Sequence, residues 1–122
     1  MANEAKGRRP QRVAADIRHA LARMIGRDLS DPRLEGVVLS SVVITNDLRI
    51  ASIGWRLVSG DADSRKSAQK GLESVSARVR RAIGQELGLR HAPELRFAYD
   101  EGQDARDRID ALLEEVKREK KG

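Results

Sequence analysis

Two histidines, a run of carboxylates and several clustered arginines are the residues of this 122-residue chain that could do chemistry. His19 and His91 fall in different segments, and neither has a serine and an acid in company. A nucleophilic triad needs a base within reach of both, so none is read here. The carboxylates Asp100, Glu101, Asp104, Asp107 and Asp110 offer the oxygen ligands that a divalent ion takes. At the start of a helix, however, acidic residues ordinarily complement the helix dipole, and that reading is preferred. With no cysteine in the chain, a disulfide framework, a thiolate zinc site and a cysteine nucleophile all fall away. Neither G-x-x-x-x-G-K-[ST] nor G-x-G-x-x-G is present. The sequence therefore assigns no catalytic residue, no metal ligand and no cofactor, and an enzyme is not expected.

The arginines carry more. Lys and Arg number 24 against 19 Asp and Glu, giving a formal charge of +5. The charge is uneven: +4 over residues 1–33, −2 over 34–64, +5 over 65–99 and −2 over 100–122. Two basic blocks thus flank a weakly acidic middle. Such a distribution, with a pI of about 10.1, fits either solvated helix faces or a surface for a polyanion such as nucleic acid. The aromatics Trp55, Phe97 and Tyr99 are too few to line a sheet for base stacking. Binding would then run through phosphates and shape.

The elements that must hold these arginines follow from periodicity. Pro10 to about Asp28 reads as a helix, with Pro10 in its first turn and an apolar stripe of Val13, Ile17, Ala20, Leu21 and Met24. On its far side Arg12, Asp16, His19 and Arg23 form a mostly basic ridge. Val37–Thr45 and Leu48–Val58 read as β-strands joined by an Asn46-Asp47 turn. In the second strand Ala51, Ile53, Trp55 and Leu57 belong to the buried face. After the Ser59–Asp63 loop comes a helical region with Leu72, Val75, Val79, Ile83 and Leu87 on one side. The other side presents Lys70, Ser74, Ala77, Arg78, Arg81 and Gln85, with no carboxylate. Gly88 suits a left-handed cap. Glu94–Tyr99 alternates as a third strand, and Ala105, Ile109, Leu112 and Val116 make a stripe on a tail helix. The order is helix, strand, strand, helical pair, strand, helix, an α+β arrangement on a small sheet. No stretch approaches the roughly 18 apolar residues of a membrane span, and Met1–Arg12 lacks the apolar run of a secretory signal.

Several stretches, taken in order, resemble one family. They are Arg8–Arg18, the Asp31-Pro32-Arg33-Leu34 stop, Val42–Ile53, Leu89–Asp100, and Arg108-Ile109-Asp110 with Leu112-Leu113. The chain from about Arg9 to Leu113 resembles ribosome-binding factor A, a bacterial cytosolic factor in small-subunit maturation. The resemblance implies a type II KH-like fold, αββααβ with a three-stranded sheet plus a C-terminal helix. From the residues themselves, 1–8, which lack periodicity, read as a flexible basic arm and 101–122 as a C-terminal amphipathic helix with a mobile end, leaving 9–100 for the KH-like domain. Family members lack the G-x-x-G loop and carry Ala-x-Gly at a bend between two helices. Here Val75-Ser76-Ala77 stands at that place. Alanine favours helix over glycine by about 1 kcal/mol, so a shallower or displaced bend is expected.

By the same resemblance, a monomer binds the immature small ribosomal subunit and its rRNA in the cytoplasm and assists late maturation. It leaves before translation, with an assembly GTPase as the partner for release. It needs no cofactor and no membrane, and the family is associated with cold adaptation. The expected RNA contacts are Lys70, Ser76, Ala77, Arg78, Arg80 and Arg81 on the second helical region, Arg90 just beyond it, and Arg8, Arg9 and Arg12 as a second grip. Two rivals stay open. One is a general architectural nucleic-acid-binding protein. The other is an interaction module that docks through Ala105–Val116, a stripe whose plainer role is to pack on its own domain.

Overall fold

The computed structural model describes residues 9–58, 61–102 and 112–117. Helix α1 spans Pro10–Arg23 and runs on into a single π-helical turn, Met24–Asp28. Pro10 sits where its missing N–H costs nothing, and Val13, Ile17 and Leu21 are fully buried along one side. A 3-10 turn, Pro32–Leu34, follows, capped by the Asp31 carboxylate. Strands β1 (Val37–Ile44) and β2 (Ile50–Leu57) form an antiparallel hairpin with a bulge between Leu39 and Ser41. Helix α2 spans Ala62–Leu87, and β3 (Glu94–Tyr99) pairs parallel with β2. A parallel pair needs a long crossover connection, and α2 provides it. The sheet order is β1-β2-β3.

The mixed α+β class, the three strands and the predicted burial of Ala51, Ile53 and Trp55 all hold. The helical pair does not. Residues 62–87 form one helix of 26 residues, with Ser76 and Ala77, better helix formers than glycine, at the place of the expected bend. The end of α2 falls at Gly88, whose φ of 64° is the left-handed conformation open to glycine. Its start is fixed by Asp61, which accepts the backbone N–H of Ser64 at 2.9 Å.

Both helices lie on one side of the sheet. That side buries Leu39, Ile44, Ala51, Ile53, Trp55 and Leu95 against Val13, Ile17 and Leu21 of α1 and Leu72, Val79 and Ile83 of α2. The opposite face leaves Val43, Ser52, Arg96 and Ala98 exposed. Gln69 of α2 ties the layers together. Its carbonyl accepts the Trp55 indole N–H at 2.9 Å, and its amide donates to the Phe97 carbonyl at 2.8 Å and to Glu73 at 2.9 Å. Tyr99 meets Trp55 edge to face at 5.0 Å, and the Arg65 guanidinium lies 4.3 Å from the Tyr99 ring centre.

The expected tail stripe falls partly outside the described residues, which exclude Ala105 and Ile109. Residues 112–117 are helical, but Leu112, Leu113 and Val116 are 60%, 53% and 45% exposed. The expectation that this stripe packs on its own domain is therefore corrected at Leu112 and Val116: an amphipathic pattern specifies an apolar side without specifying what covers it.

Replacing Gln69 by leucine leaves the buried indole N–H and the Phe97 carbonyl without partners. The expected loss is about 2 kcal/mol, the usual scale for orphaned buried polar groups. Urea unfolding followed by the fluorescence of Trp55 checks it, and an unchanged midpoint would show that the bridge contributes no net stability.

Candidate nucleic-acid interface

The roll of α2 is set by its apolar stripe. Ala68, Leu72, Val75, Val79 and Ile83 are buried, so the residues between them must face outward. Lys70, Ser74, Ala77, Arg78, Arg81 and Gln85 are exposed as the periodicity requires, and Ser76 is half-buried at the margin. Lys66, one turn before Lys70, is exposed as well. Of the glutamates of α2, Glu86 pairs with Arg23 of α1, while Glu73 accepts from Gln69 and is exposed one turn from Lys70. Among the described residues, the outward stripe from Lys66 to Arg81 is thus mostly basic, with Glu73 as a carboxylate beside it.

A residue outside the expected set also touches this face. The 3-10 turn docks where α2 carries Gly71: a Cβ there would come within 3.1 Å of the Arg33 side chain and 3.2 Å of Leu34. Glycine allows that approach and places Arg33 beside the stripe. Arg33 donates to Ser74 Oγ at 3.1 Å and to Asp31 at 2.7 Å. Arg33 and Ser74 are 41 positions apart, so no local pattern signals their meeting.

Arg80 has a different job from its neighbours. Its Nε and Nη2 donate to the Ala92 carbonyl at 3.1 and 2.9 Å, holding the loop between α2 and β3. That loop brings Arg90 and His91 near Ala77 and Arg81, around a depression of about 420 Å³. The structure therefore gathers Ala77, Arg80, Arg81 and Arg90, with Lys70 and Arg78 on the same helix. It does not gather the second grip with them. Arg9 is the extended residue that precedes α1 and Arg12 lies on its first turn, 3.8 Å from Asp16, and Arg8 lies outside the described residues. His19 and His91 are both exposed and on separate elements. Among the described residues, no three His, Asp or Glu side chains gather as metal ligands; Asp104, Asp107 and Asp110 lie outside them. No helix among the described residues is long and apolar enough to cross a membrane.

A helix–strand–strand–helix–strand order, with one sheet face covered and a basic helix face turned outward, defines a KH-like α+β domain. Residues 9–113 match the family model described as ribosome-binding factor A, and the chain belongs to that family. It is 47% identical over 112 residues to ribosome-binding factor A of Sorangium cellulosum, covering 90% of each chain. It is 39% identical over 109 residues to that of Pelobacter propionicus, covering 89% of this chain and 88% of the relative. The crystal structure of ribosome-binding factor A from Thermus thermophilus superposes with a TM-score of 0.65 at 23% identity, over 74% of this chain and 93% of that one. A Thermus thermophilus homology model fitted into a cryo-EM map of a 30S complex superposes with a TM-score of 0.60 at 24% identity, over 71% of this chain and 90% of that one. These two likenesses show the fold.

Three aspartates around these elements lie below the usual carboxylate range. Asp31 is lowered first by the Arg33 side chain and then by the Arg33 backbone N–H. Asp47 is lowered by the Thr45 hydroxyl and then the Arg49 N–H, and Asp61 by the backbone N–H and then the hydroxyl of Ser64. Because folding depresses these pKa values, their contribution is complete above the unfolded carboxylate pKa, about 4, and is lost as pH falls through the lower folded values. The melting temperature should therefore decline below about pH 4, and less steeply in an Asp31→Asn/Asp47→Asn variant. Thermal melts across an acid series check this; identical acid slopes would remove these two carboxylates from the account.

Proposed function

We propose that this chain binds the small ribosomal subunit through its rRNA, using the outward face of α2, and assists a late step of subunit maturation. The observation that carries the reading is the exposed basic stripe Lys66–Lys70–Arg78–Arg81 in a member of the ribosome-binding factor A family. The 30S complex of the Thermus thermophilus relative supports the choice of partner. Binding of this kind is electrostatic and shape-based: each phosphate neutralised releases condensed counterions, and A-form RNA is recognised largely by backbone and shape. Lys70, Ser76, Ala77, Arg78, Arg81 and Arg90 contact the RNA, while Arg80 acts mainly by holding the loop that presents Arg90. Arg9 and Arg12, with the 1–8 arm that includes Arg8, make a separate contact. The chain works in the cytoplasm as a monomer without a cofactor, and leaves before translation with the help of an assembly GTPase. The role is one of binding and requires no catalysis.

Competition between small subunits and duplex DNA tests the partner. Small subunits should displace the chain from DNA at equal phosphate concentration, and equal competition would favour a general architectural role. Removing Arg78 and Arg81 together should weaken subunit binding and flatten its dependence on log salt by about 0.7–0.9 for each phosphate no longer neutralised. Binding titrations over a salt series measure this. An unchanged slope would take the α2 face out of the interface.

A further inference from the structure

Where β2 and β3 begin and α2 ends, the hairpin turn and the α2–β3 loop enclose a half-open depression of about 750 Å³. Its floor is apolar: Leu48 is buried, and Ile50, Leu89 and Ala92 are half-buried. Its rim is exposed and polar, with Arg49 and His91 among its residues and Arg80 at its side. An apolar base with a few convergent polar groups, at this volume, is the make-up of a small-ligand site.

Both walls are held rigidly. The Thr45 hydroxyl accepts the N–H groups of Arg49 and Ile50 at 3.2 and 3.1 Å and donates to Asp47 at 2.6 Å. Leu48 is kept at a φ of 60°, a conformation that a leucine rarely adopts. Arg80 pins the other wall through the Ala92 carbonyl. The Glu94 N–H donates to the Arg49 carbonyl at 2.8 Å and so joins the two walls.

We propose that this depression receives a single unstacked RNA nucleotide. The base lies on Leu48, Ile50, Leu89 and Ala92, a guanidinium of the rim covers its exposed face, and its phosphate meets the arginines. Stacking of this kind is ordinarily done by aromatic rings or by arginine planes. Here Trp55 is fully buried, and Phe97 and Tyr99 are half-buried against the core, so arginine must do it. Arg49, Arg80 and Arg90 line the site with the carboxylates Asp47 and Glu94; Arg49 lies 4.0 Å from Asp47 and Arg80 is held by the Ala92 carbonyl, and the remaining small positive excess favours an anionic ligand. The depression also shares Arg80, Arg90, His91 and Ala92 with the smaller one beside Ala77 and Arg81. A strand lying on the α2 face therefore reaches it directly. The inference deepens the proposed RNA-binding role and rests on it.

The test is an amide NMR titration of the full chain with AMP, GMP, CMP and UMP in turn, and with ribose 5-phosphate as the base-free control. Saturable shifts at Leu48, Arg49 and Leu89 to Ala92 are expected with a nucleotide, several-fold larger than with ribose 5-phosphate. They should be lost in an Arg49→Ala/His91→Ala variant, both of whose sites are exposed and leave the core intact. Absence of saturable shifts overturns the pocket. So do shifts equalled by ribose 5-phosphate, which would mean phosphate contact alone, and shifts that survive in the double variant. Sedimentation with small subunits keeps the two readings apart. A chain that binds subunits but shows no nucleotide shift overturns the pocket and leaves the subunit-binding role standing.

Discussion

The burial of Trp55 beneath α2 is the constraint on which the functional surface depends. The indole is fully enclosed, and its N–H has a partner in Gln69. Satisfying that donor adds to the apolar stripe in setting the roll of α2 and its height over the sheet, because Gln69 must at the same time reach the Phe97 carbonyl of β3. Once α2 is seated, Leu72, Val79 and Ile83 can only point inward, and Lys70, Ala77, Arg78 and Arg81 can only point outward. The basic face is thus a consequence of the core. A helix rotated by one residue would turn about 100°, leaving the indole unpaired and moving arginines toward the sheet.

The same seating explains how separate parts of the chain converge. The 3-10 turn approaches α2 closely at Gly71, which brings Arg33 to Ser74. The helix ends at Gly88, and the loop that follows folds back to accept from Arg80 through Ala92. Parallel pairing of β3 with β2 then sets that loop beside the hairpin turn. Charge on the helix face and shape at the loop are therefore products of one packing arrangement.

Much of this was legible from residue types alone. The β-branched runs at 37–45 and 48–58 mark the hairpin, the alternation around Trp55 marks its buried side, and the apolar spacing from Leu72 to Ile83 marks the outward face of α2. What escaped depends on residues distant in sequence. The helical pair that the family resemblance implied is a single helix through Ser76 and Ala77. Arg80 reads as one more exposed cation until the Ala92 carbonyl is placed beside it. Arg33 reads as part of a helix stop until the turn docks on α2. The tail shows the limit of periodicity in another way: Leu112 and Val116 obey the apolar spacing and are exposed, since spacing describes a helix and not its partner.

The surface proposed to meet rRNA is the outward face of α2. A photo-crosslinking benzophenone side chain in place of Ala77, an exposed residue in the middle of the basic stripe, tests it most directly. The same group in place of Ala98, exposed on the uncovered sheet face, is the comparison. With purified small subunits, covalent capture of small-subunit rRNA is expected from position 77 and little from position 98. Capture of rRNA from position 98 with none from position 77 would overturn the assignment.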